Sequence, residues 1–310
     1  MKILFCGTSH FALPALKQIL EKWEVLGIIT QPDRPRGRGR KIAAPPVKEF
    51  ALDRSVPVYQ PNNAGELIQI IEEENLKADL IVVVAYGLIL PARLLDMPPL
   101  GCINLHPSLL PAYRGAAPIQ RAIMNGDQIT GVTTMYLSQE MDAGDIIYQE
   151  KREIPRDCTA GELAEVLAEQ GAQLLLKTIS ALEQGKAPRQ AQDPKQVSYA
   201  PPLSKEDERI HWNRDAEGIY NQIRGMNPQP GAYTEFKGRI LKVWRSQLVD
   251  EEITGFMPGE VVETDTKRGF VVQTGSGQLL LTEVQPAGRP RMSAAEFLRG
   301  YRITAGSQLG

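Results

Sequence analysis

The chain has 310 residues, of which 42% are hydrophobic and 23% charged, and its formal net charge at pH 7 is −2. These values exclude a disordered chain and a globally basic nucleic-acid-binding protein, so any site for a polyanion must be local. Three isolated cysteines and three scattered histidines argue against a disulfide framework and a metal cluster. The apolar runs are too short for a secretory signal or a membrane span, and we expect a cytoplasmic protein of about two domains.

Short apolar runs alternate with helical patterns in the first half of the chain. Strand patterns fall at 2–6, 25–30, 79–84, 101–105 and 131–137, and helical patterns at 11–20, 67–71 and 159–182. This alternation predicts an α/β domain with a mostly parallel sheet. Ligands of such sheets lie beyond the carboxyl ends of the strands, which points to Gly7, Tyr86 and the stretch after Leu105.

The second half has a different pattern. A polar, proline-bearing stretch over 184–202 is typical of a linker. A helical pattern at 215–224 then precedes short strand patterns at 233–236, 240–244, 259–263, 269–273 and 278–282. Strands of this length and spacing predict a small β-barrel.

Residues 33–48 carry a concentrated positive charge. Six basic residues and one aspartate give a local net charge of +5, the basic ones being Arg34, Arg36, Arg38, Arg40, Lys41 and Lys48. Three prolines and two glycines in this segment predict an exposed, mobile loop without regular helix or strand. Such a loop suits a phosphate backbone, because arginines bind phosphate bidentately and release counterions. A solvated surface loop is the competing interpretation.

Asn104 and His106 stand two residues apart at the end of a predicted strand, and period-two geometry places both side chains on one face. An irregular loop over 108–115 and a predicted helix over 116–124 follow. The carboxamide can donate hydrogen bonds to a developing oxyanion, and the imidazole can take a proton from an attacking amine. Because GxSxG spacing is absent, we favour direct acyl transfer to an amine over a covalent enzyme intermediate.

A carboxylate that sets the charge state of the histidine would complete this group. The acidic segment 138–147 follows the strand pattern at 131–137 and offers Glu140, Asp142 and Asp145. The residues alone leave the choice among these three open. They also leave open a purely structural role for His106.

These motifs resemble the 10-formyltetrahydrofolate-dependent formyltransferase family, and the resemblance extends over nearly the whole chain. The family pattern is an Asn-x-His pair followed by SLLPxxxG, here SLLPAYRG at 108–115, and an acidic D-x-G-D, here at 142–145. The resemblance implies that Asp142 is the third catalytic residue beside Asn104 and His106. It implies 10-formyltetrahydrofolate as co-substrate without a metal, bound by Ser108, Leu109, Leu110, Pro111, Gly115, Tyr86, Gly87 and Leu88.

The basic segment and the C-terminal part resemble the members of this family that act on methionyl-tRNA. The segment resembles an inserted loop that enters the acceptor stem, which implies that Arg34, Arg36, Arg38, Arg40 and Lys41 bind tRNA, with Arg38 nearest the end base pair. Residues 224–234 and the strands after them resemble the family's OB-like barrel, although Gln229 stands where an aromatic residue is expected. The implied fold is a Rossmann-like catalytic domain over 1–189, a linker over 190–207 and an OB-like, tRNA-binding domain over 208–310.

The implied activity is formyl transfer to the α-amino group of methionyl initiator tRNA by a monomer with no membrane partner. The alternative is a formyltransferase acting on a nucleotide-sugar amine, for which a basic loop and an added barrel make little sense. A non-catalytic RNA-binding protein is a third interpretation, but residues 209–310 carry a net charge of only +2. A nicotinamide oxidoreductase is the most distant one, because CGTSHF after the first strand lacks GxGxxG.

Overall fold

The computed structural model describes residues 1–36, 41–249 and 255–310, which form two compact units. The first unit comprises residues 1–118, 129–153 and 164–200, and the second comprises 119–128, 154–163 and 201–310. Two short segments of the first half therefore cluster with the C-terminal unit. The domain boundaries taken from the sequence stay a prediction.

The bounds of the elements follow the predicted alternation in the first half of the chain. The strands are β1 Lys2–Gly7, β2 Glu24–Ile29, β3 Arg34–Arg36, β4 Lys41–Ala43, β5 Val58–Tyr59, β6 Leu80–Val84, β7 Cys102–His106, β8 Arg114–Gly115, β9 Ile129–Tyr136, β10 Ile146–Glu153, β11 Tyr199–Ala200, β12 Ala232–Phe236, β13 Arg239–Leu248, β14 Val261–Asp265, β15 Gly269–Gln273, β16 Gln278–Pro286 and β17 Met292–Ser293. The helices are α1 Leu13–Leu20, α2 Pro46–Leu52, α3 Ala64–Glu73, α4 Ala92–Leu95, α5 Pro118–Met124, α6 Ala160–Glu183, α7 Lys205–Glu208, α8 Ala216–Gly225 and α9 Ala294–Gly300.

A seven-stranded sheet forms the centre of the first unit, in the order β10-β9-β7-β6-β1-β2-β5. The strands from β5 to β7 in this order are parallel, and β9 and β10 add an antiparallel edge. The five residues of β6, LIVVV, are all buried, as expected for a parallel strand covered on both faces. The mostly parallel, Rossmann-like sheet predicted from the sequence is confirmed.

The carboxyl ends of the parallel strands lie together at one edge of this sheet. Gly7 at the end of β1 is level with Val84 at the end of β6, and Val84 is level with Leu105 in β7. The residues that follow these strands therefore begin at the same edge. In parallel sheets this edge is where ligands bind.

The sequence predicts no regular structure in the basic segment, but the segment contains two short strands. β3 and β4 pair antiparallel in a short ribbon, with Pro35 opposite Ile42. The prediction that prolines forbid a strand was wrong here, because a two-stranded ribbon leaves one side of each strand unpaired and tolerates a missing N–H there. Arg38 and Arg40 lie outside the described residues, between the two strands.

Part of the stretch predicted to be a linker is paired with the first unit. β11 pairs in parallel with β8, so that Tyr199 lies opposite Arg114 and Ala200 opposite Gly115. The backbone N–H of Arg114 donates to the carbonyl of Ser198 at 2.9 Å. The polar composition of this stretch reflects solvated side chains and carries no information about its backbone pairing.

The second unit is built on an antiparallel sheet in the order β12-β13-β16-β15-β14, with β17 paired to β16. Its buried core includes Ile219 from α8, Phe297 from α9 and Phe270 from β15. The predicted run of short strands is confirmed, whereas closure into an OB-like barrel stays a prediction. Within the described part of the chain, no helix combines the length and apolar character needed to cross a membrane.

Candidate active site

Strand β7 carries both the asparagine and the histidine that the sequence singles out. Asn104 and His106 are 9% and 4% exposed, respectively. β7 lies between β6 and β9, so Asn104 is level with Val83 on one side and His106 with Thr133 on the other. Burial between two paired strands fixes the direction of both side chains, which is what a catalytic group requires.

The two ring nitrogens of His106 have different neighbours. Nε2 lies 2.9 Å from the carbonyl oxygen of Tyr113, which can only accept, so Nε2 carries the proton of this hydrogen bond. Nδ1 lies 3.7 Å from Oδ2 of Asp142. Nδ1 is therefore the nitrogen open to proton exchange, and the carboxylate is close enough to stabilise a ring protonated at both positions.

The backbone of the acidic loop brings the carboxylate of Asp142 to this position. Asp142 adopts a left-handed conformation with φ of +51°. Its Oδ2 accepts a hydrogen bond from the N–H of Gly115 at 2.8 Å. Two residues further on, a Cβ at Gly144 would collide with the carbonyl of Tyr136, so only glycine fits there.

The other two acidic candidates have different surroundings. Oδ2 of Asp145 lies 3.4 Å from Nε of Arg189, and its side chain is 41% exposed. Glu140 is exposed. Of the three carboxylates left open by the sequence, it is Asp142 that the fold brings to within ion-pairing distance of His106.

The loop after β7 is held by a hydrogen bond within the loop and by hydrogen bonds to Thr133 of β9 and Gln149 of β10. The hydroxyl of Ser108 donates to the carbonyl of Ala112 at 2.6 Å, and Oγ1 of Thr133 donates to the carbonyl of Ser108 at 2.6 Å. The N–H of Leu110 donates to Thr133 Oγ1 at 3.1 Å, and the amide of Gln149 donates to the carbonyl of Leu110 at 2.7 Å. Thr133 and Gln149 were missed from the sequence. In the sequence, Thr133 lies within the strand pattern at 131–137 and Gln149 follows it. Such a position does not show which residues a side chain contacts.

The segment after β6 is tied to the ends of β1 and β2. Tyr86 is buried, and its carbonyl accepts hydrogen bonds from Oγ1 of Thr8 at 2.8 Å and from the amide of Gln31 at 3.0 Å. Gly87 has φ of +83°, and a Cβ there would collide with Gln31. Leu88 is half-buried against the same core as Tyr86. Three strand ends thus hold the backbone at 86–88 in one place.

The cysteine thiols of the sheet are poor candidates for a nucleophile. Cys6 and Cys102 are both buried. Burial raises the pKa of Cys102 to about 12, and burial likewise raises the pKa of Cys6. Since the thiolate is the reactive form, neither side chain is prepared for covalent catalysis at neutral pH.

The base of the basic ribbon is held by one ion pair and an amide. Nζ of Lys48 lies 2.9 Å from Oδ1 of Asp33 and 2.6 Å from Oε1 of Gln60. Hydrogen bonds from Gln60 and Lys48 hold the pKa of the Asp33 carboxyl below its usual value. Asp33 therefore neutralises the charge of Lys48, which is one of the six basic residues of the segment 33–48.

Three more basic residues lie in the two strands of the ribbon. Arg34 is exposed at the start of β3. The backbones of Arg36 and Lys41 lie opposite each other, at the end of β3 and the start of β4.

The described residues thus combine a mostly parallel α/β unit, in which a buried Asn-x-His strand lies beside an aspartate, with an antiparallel β unit. The chain belongs to the formyl transferase family. Residues 1–179 match the family model described as formyl transferase, and residues 202–302 match the model described as formyl transferase, C-terminal domain. The family inferred from the sequence motifs is thereby confirmed.

Curated relatives match along their whole length. The methionyl-tRNA formyltransferase of Moorella thermoacetica is 50% identical over 311 residues, covering 100% of this chain and 99% of the relative. That of Pelotomaculum thermopropionicum is 48% identical over 311 residues, with the same coverage.

Solved structures with the same fold include two more distant proteins. An N-formyltransferase from Helicobacter canadensis, in complex with folinic acid and dTDP-3-aminofucose, is 21% identical with a TM-score of 0.68, covering 92% of this chain and 99% of that one. HypX from Aquifex aeolicus, in complex with tetrahydrofolic acid, is 20% identical with a TM-score of 0.68, covering 96% of this chain and 47% of that one. At these identities the likeness is one of fold.

Proposed function

We propose that this protein transfers the formyl group of 10-formyltetrahydrofolate to the α-amino group of methionyl initiator tRNA. The observation that carries the choice of acceptor is the 48–50% identity, over the full length of both chains, to methionyl-tRNA formyltransferases. The sugar formyltransferase that shares the fold is only 21% identical. We expect a monomer that acts in the cytoplasm, where charged tRNA is made and used.

Asn104, His106 and Asp142 are the proposed catalytic residues. The carboxamide of Asn104 donates to the formyl oxygen as negative charge develops there. His106 takes part through Nδ1, because its Nε2 is engaged with the carbonyl of Tyr113. Asp142, 3.7 Å from Nδ1, stabilises the positive charge of the ring.

The proton follows the bonds that form and break. The amine of methionine is neutral when it attacks the formyl carbon, and its nitrogen loses one proton as the new C–N bond forms. Nδ1 of His106 accepts that proton, with Asp142 balancing the charge. The proton then passes to N10 of tetrahydrofolate as the old C–N bond breaks, which returns His106 and Asp142 to their starting state.

The carboxyl edge of the sheet suits a folate. Its ring needs apolar walls and backbone hydrogen-bonding groups, and the segment after β6 offers half-buried Leu88 and Ile89, which is 69% exposed. The amide of Gln31 holds the carbonyl of Tyr86, the residue before Gly87, by a hydrogen bond at 3.0 Å. Ser108 and Leu110 use their polar groups within the protein. We therefore propose that residues 86–89, Leu109, Pro111 and Gly115 contact the folate, and that buried Ser108 and Leu110 shape the cleft.

The basic ribbon is the proposed contact with tRNA. The Asp33–Lys48–Gln60 contacts fix its base at the end of β2. Arg34 and the four further basic residues up to Lys41 follow directly in the sequence. Because their charges are concentrated on a short segment, they give a local site for phosphates in a chain whose net charge is −2.

A formyl-transfer assay with the full-length protein and 10-formyltetrahydrofolate tests the proposal. The acceptors are methionyl initiator tRNA, methionyl elongator tRNA, uncharged initiator tRNA and a nucleotide-linked amino sugar. We expect rapid transfer to the first, slow transfer to the second and none to the others. Transfer to the amino sugar without transfer to methionyl-tRNA would overturn the proposal.

A further inference from the structure

The side chain of Gln192 joins the acidic loop to the loop after β7. Its Nε2 donates to the carbonyl of Asp142 at 2.8 Å and to the carbonyl of Gly144 at 2.8 Å. Its Oε1 accepts from Nη2 and Nε of Arg114 at 2.7 and 3.1 Å. Both ends of one half-buried amide are therefore used in bidentate contacts.

These contacts close a ring around the carboxylate that faces the histidine. Arg114 precedes Gly115, whose N–H donates to Oδ2 of Asp142 at 2.8 Å. The carbonyl of the same aspartate is held by Gln192. Gln192 thus holds the backbone carbonyl of Asp142, and Gly115 holds its carboxylate. Gly115 follows Arg114, which is the other partner of the Gln192 amide.

The backbone conformation of Asp142 makes such support necessary. With φ of +51°, this residue stands in the left-handed region, which costs a non-glycine residue free energy unless its surroundings hold it there. Two donated hydrogen bonds to the carbonyls at 142 and 144 provide that hold. Because catalysis depends on sub-ångström placement, a shift of the carboxylate away from His106 lowers the rate even when the fold is intact.

We propose that Gln192 is a positioning residue for formyl transfer, which acts by holding the carboxylate of Asp142 against His106. This inference rests on the proposed function of the site. The hydrogen bonds described for the Gln192 amide join it to protein groups. Its donated hydrogen bonds to the two carbonyls carry the effect, and its contact with Arg114 orients the amide.

Three variants of the full-length protein test this role. Gln192→Leu removes both halves of the amide at nearly constant volume. Gln192→Glu keeps the acceptor for Arg114 but loses the donors to the carbonyls. The matched control is Gln196→Leu, since Gln196 is exposed in the same segment and its amide donates to Asp193. kcat, KM for both substrates and the thermal midpoint are measured for each variant.

We expect kcat to fall about 10- to 100-fold in both Gln192 variants, with both KM values within about twofold of the wild type. Because Gln192→Glu keeps the contact with Arg114, its thermal midpoint should fall less than that of Gln192→Leu, while its kcat falls as far. The control should match the wild type. A kcat that recovers in step with the midpoint would mean a merely structural role and would overturn the proposal.

A double variant shows whether the effect passes through Asp142. In an Asp142→Asn background, Gln192→Leu should lower kcat by less than about threefold further, because the charge that it positions is already absent. A full 10- to 100-fold additional loss would refute action through Asp142. If the wild type does not formylate methionyl-tRNA at all, the proposed function is refuted. If the wild type does formylate it and Gln192→Leu has the same kcat, only the role of Gln192 is refuted.

Discussion

Replacement of Asp142 by asparagine isolates the charge of one carboxylate in the candidate site. The two side chains have nearly the same shape, and the asparagine oxygen can still accept the hydrogen bond from Gly115 N that Asp142 Oδ2 accepts at 2.8 Å. The loop should therefore keep its conformation. What is lost is the negative charge beside His106.

The size of the loss follows from the distance. Two unit charges at the 3.7 Å between Nδ1 of His106 and Oδ2 of Asp142 interact by about 4 kcal/mol at an effective dielectric constant of about 20. The side chains are 5% and 14% exposed, so water screens them little. If half to all of a positive charge develops on the ring, about 2–4 kcal/mol is lost, which lowers kcat about 30- to 1000-fold.

Single-turnover formyl transfer to methionyl initiator tRNA measures this effect directly, and the thermal midpoint reports on the fold. Asp145→Asn is the matched control, because that carboxylate belongs to the same loop but lies beside Arg189. We expect the control to keep its rate. A rate for Asp142→Asn within about threefold of the wild type, with an unchanged midpoint, would refute the catalytic role of this charge.

Three further predictions concern the other two residues of the candidate site, the basic segment and the ion pair between Asp207 and Arg121. His106→Ala and Asn104→Ala should each lower kcat about 10²–10³-fold with little change in tRNA affinity, as measured by filter binding, and near-normal turnover would remove the assignment. Arg38→Ala should reduce formylation of tRNA far more than folate binding, and an equal loss of both would indicate misfolding instead. Asp207→Asn should lower the free energy of unfolding at pH 7 by about 1–3 kcal/mol, because Asp207 Oδ1 lies 2.7 Å from Arg121 Nη1. Hydrogen bonds from Arg121 depress the folded-state pKa of this carboxyl, so its contribution is present above about pH 4 and is lost on further acidification. A variant whose deficit in urea unfolding fails to shrink below pH 4 would contradict this linkage.

The elements that the sequence predicted well are those whose signal is local. β6 is a run of five apolar residues, and burial on both faces is the arrangement that such a run favours. Asn104 and His106 share a face because strand periodicity requires it. Their place at the carboxyl edge follows from the parallel order of the strands.

The parts that could not be predicted depend on contacts between distant residues. Gln192 lies 50 positions from Asp142, and nothing in a polar stretch distinguishes a glutamine that bridges two loops from one in water. The contact of Lys48 with Gln60 is similar, because the two residues are brought together only when β2 and β5 pair. The β3–β4 ribbon was missed for a local reason, since prolines at 35, 45 and 46 outweighed the pairing potential of the residues between them.

The pairing of β11 with β8 has a consequence for anyone who cuts or recombines this enzyme. A fragment that stops at residue 189 would omit the strand that lies along Arg114 and Gly115, together with the amide of Gln192. We therefore expect that a fragment which keeps these contacts has to extend through Ala200. Chimaeras that exchange the C-terminal unit between relatives should be joined after that residue, so that the contacts of Gln192 and β11 with the two loops come from one parent.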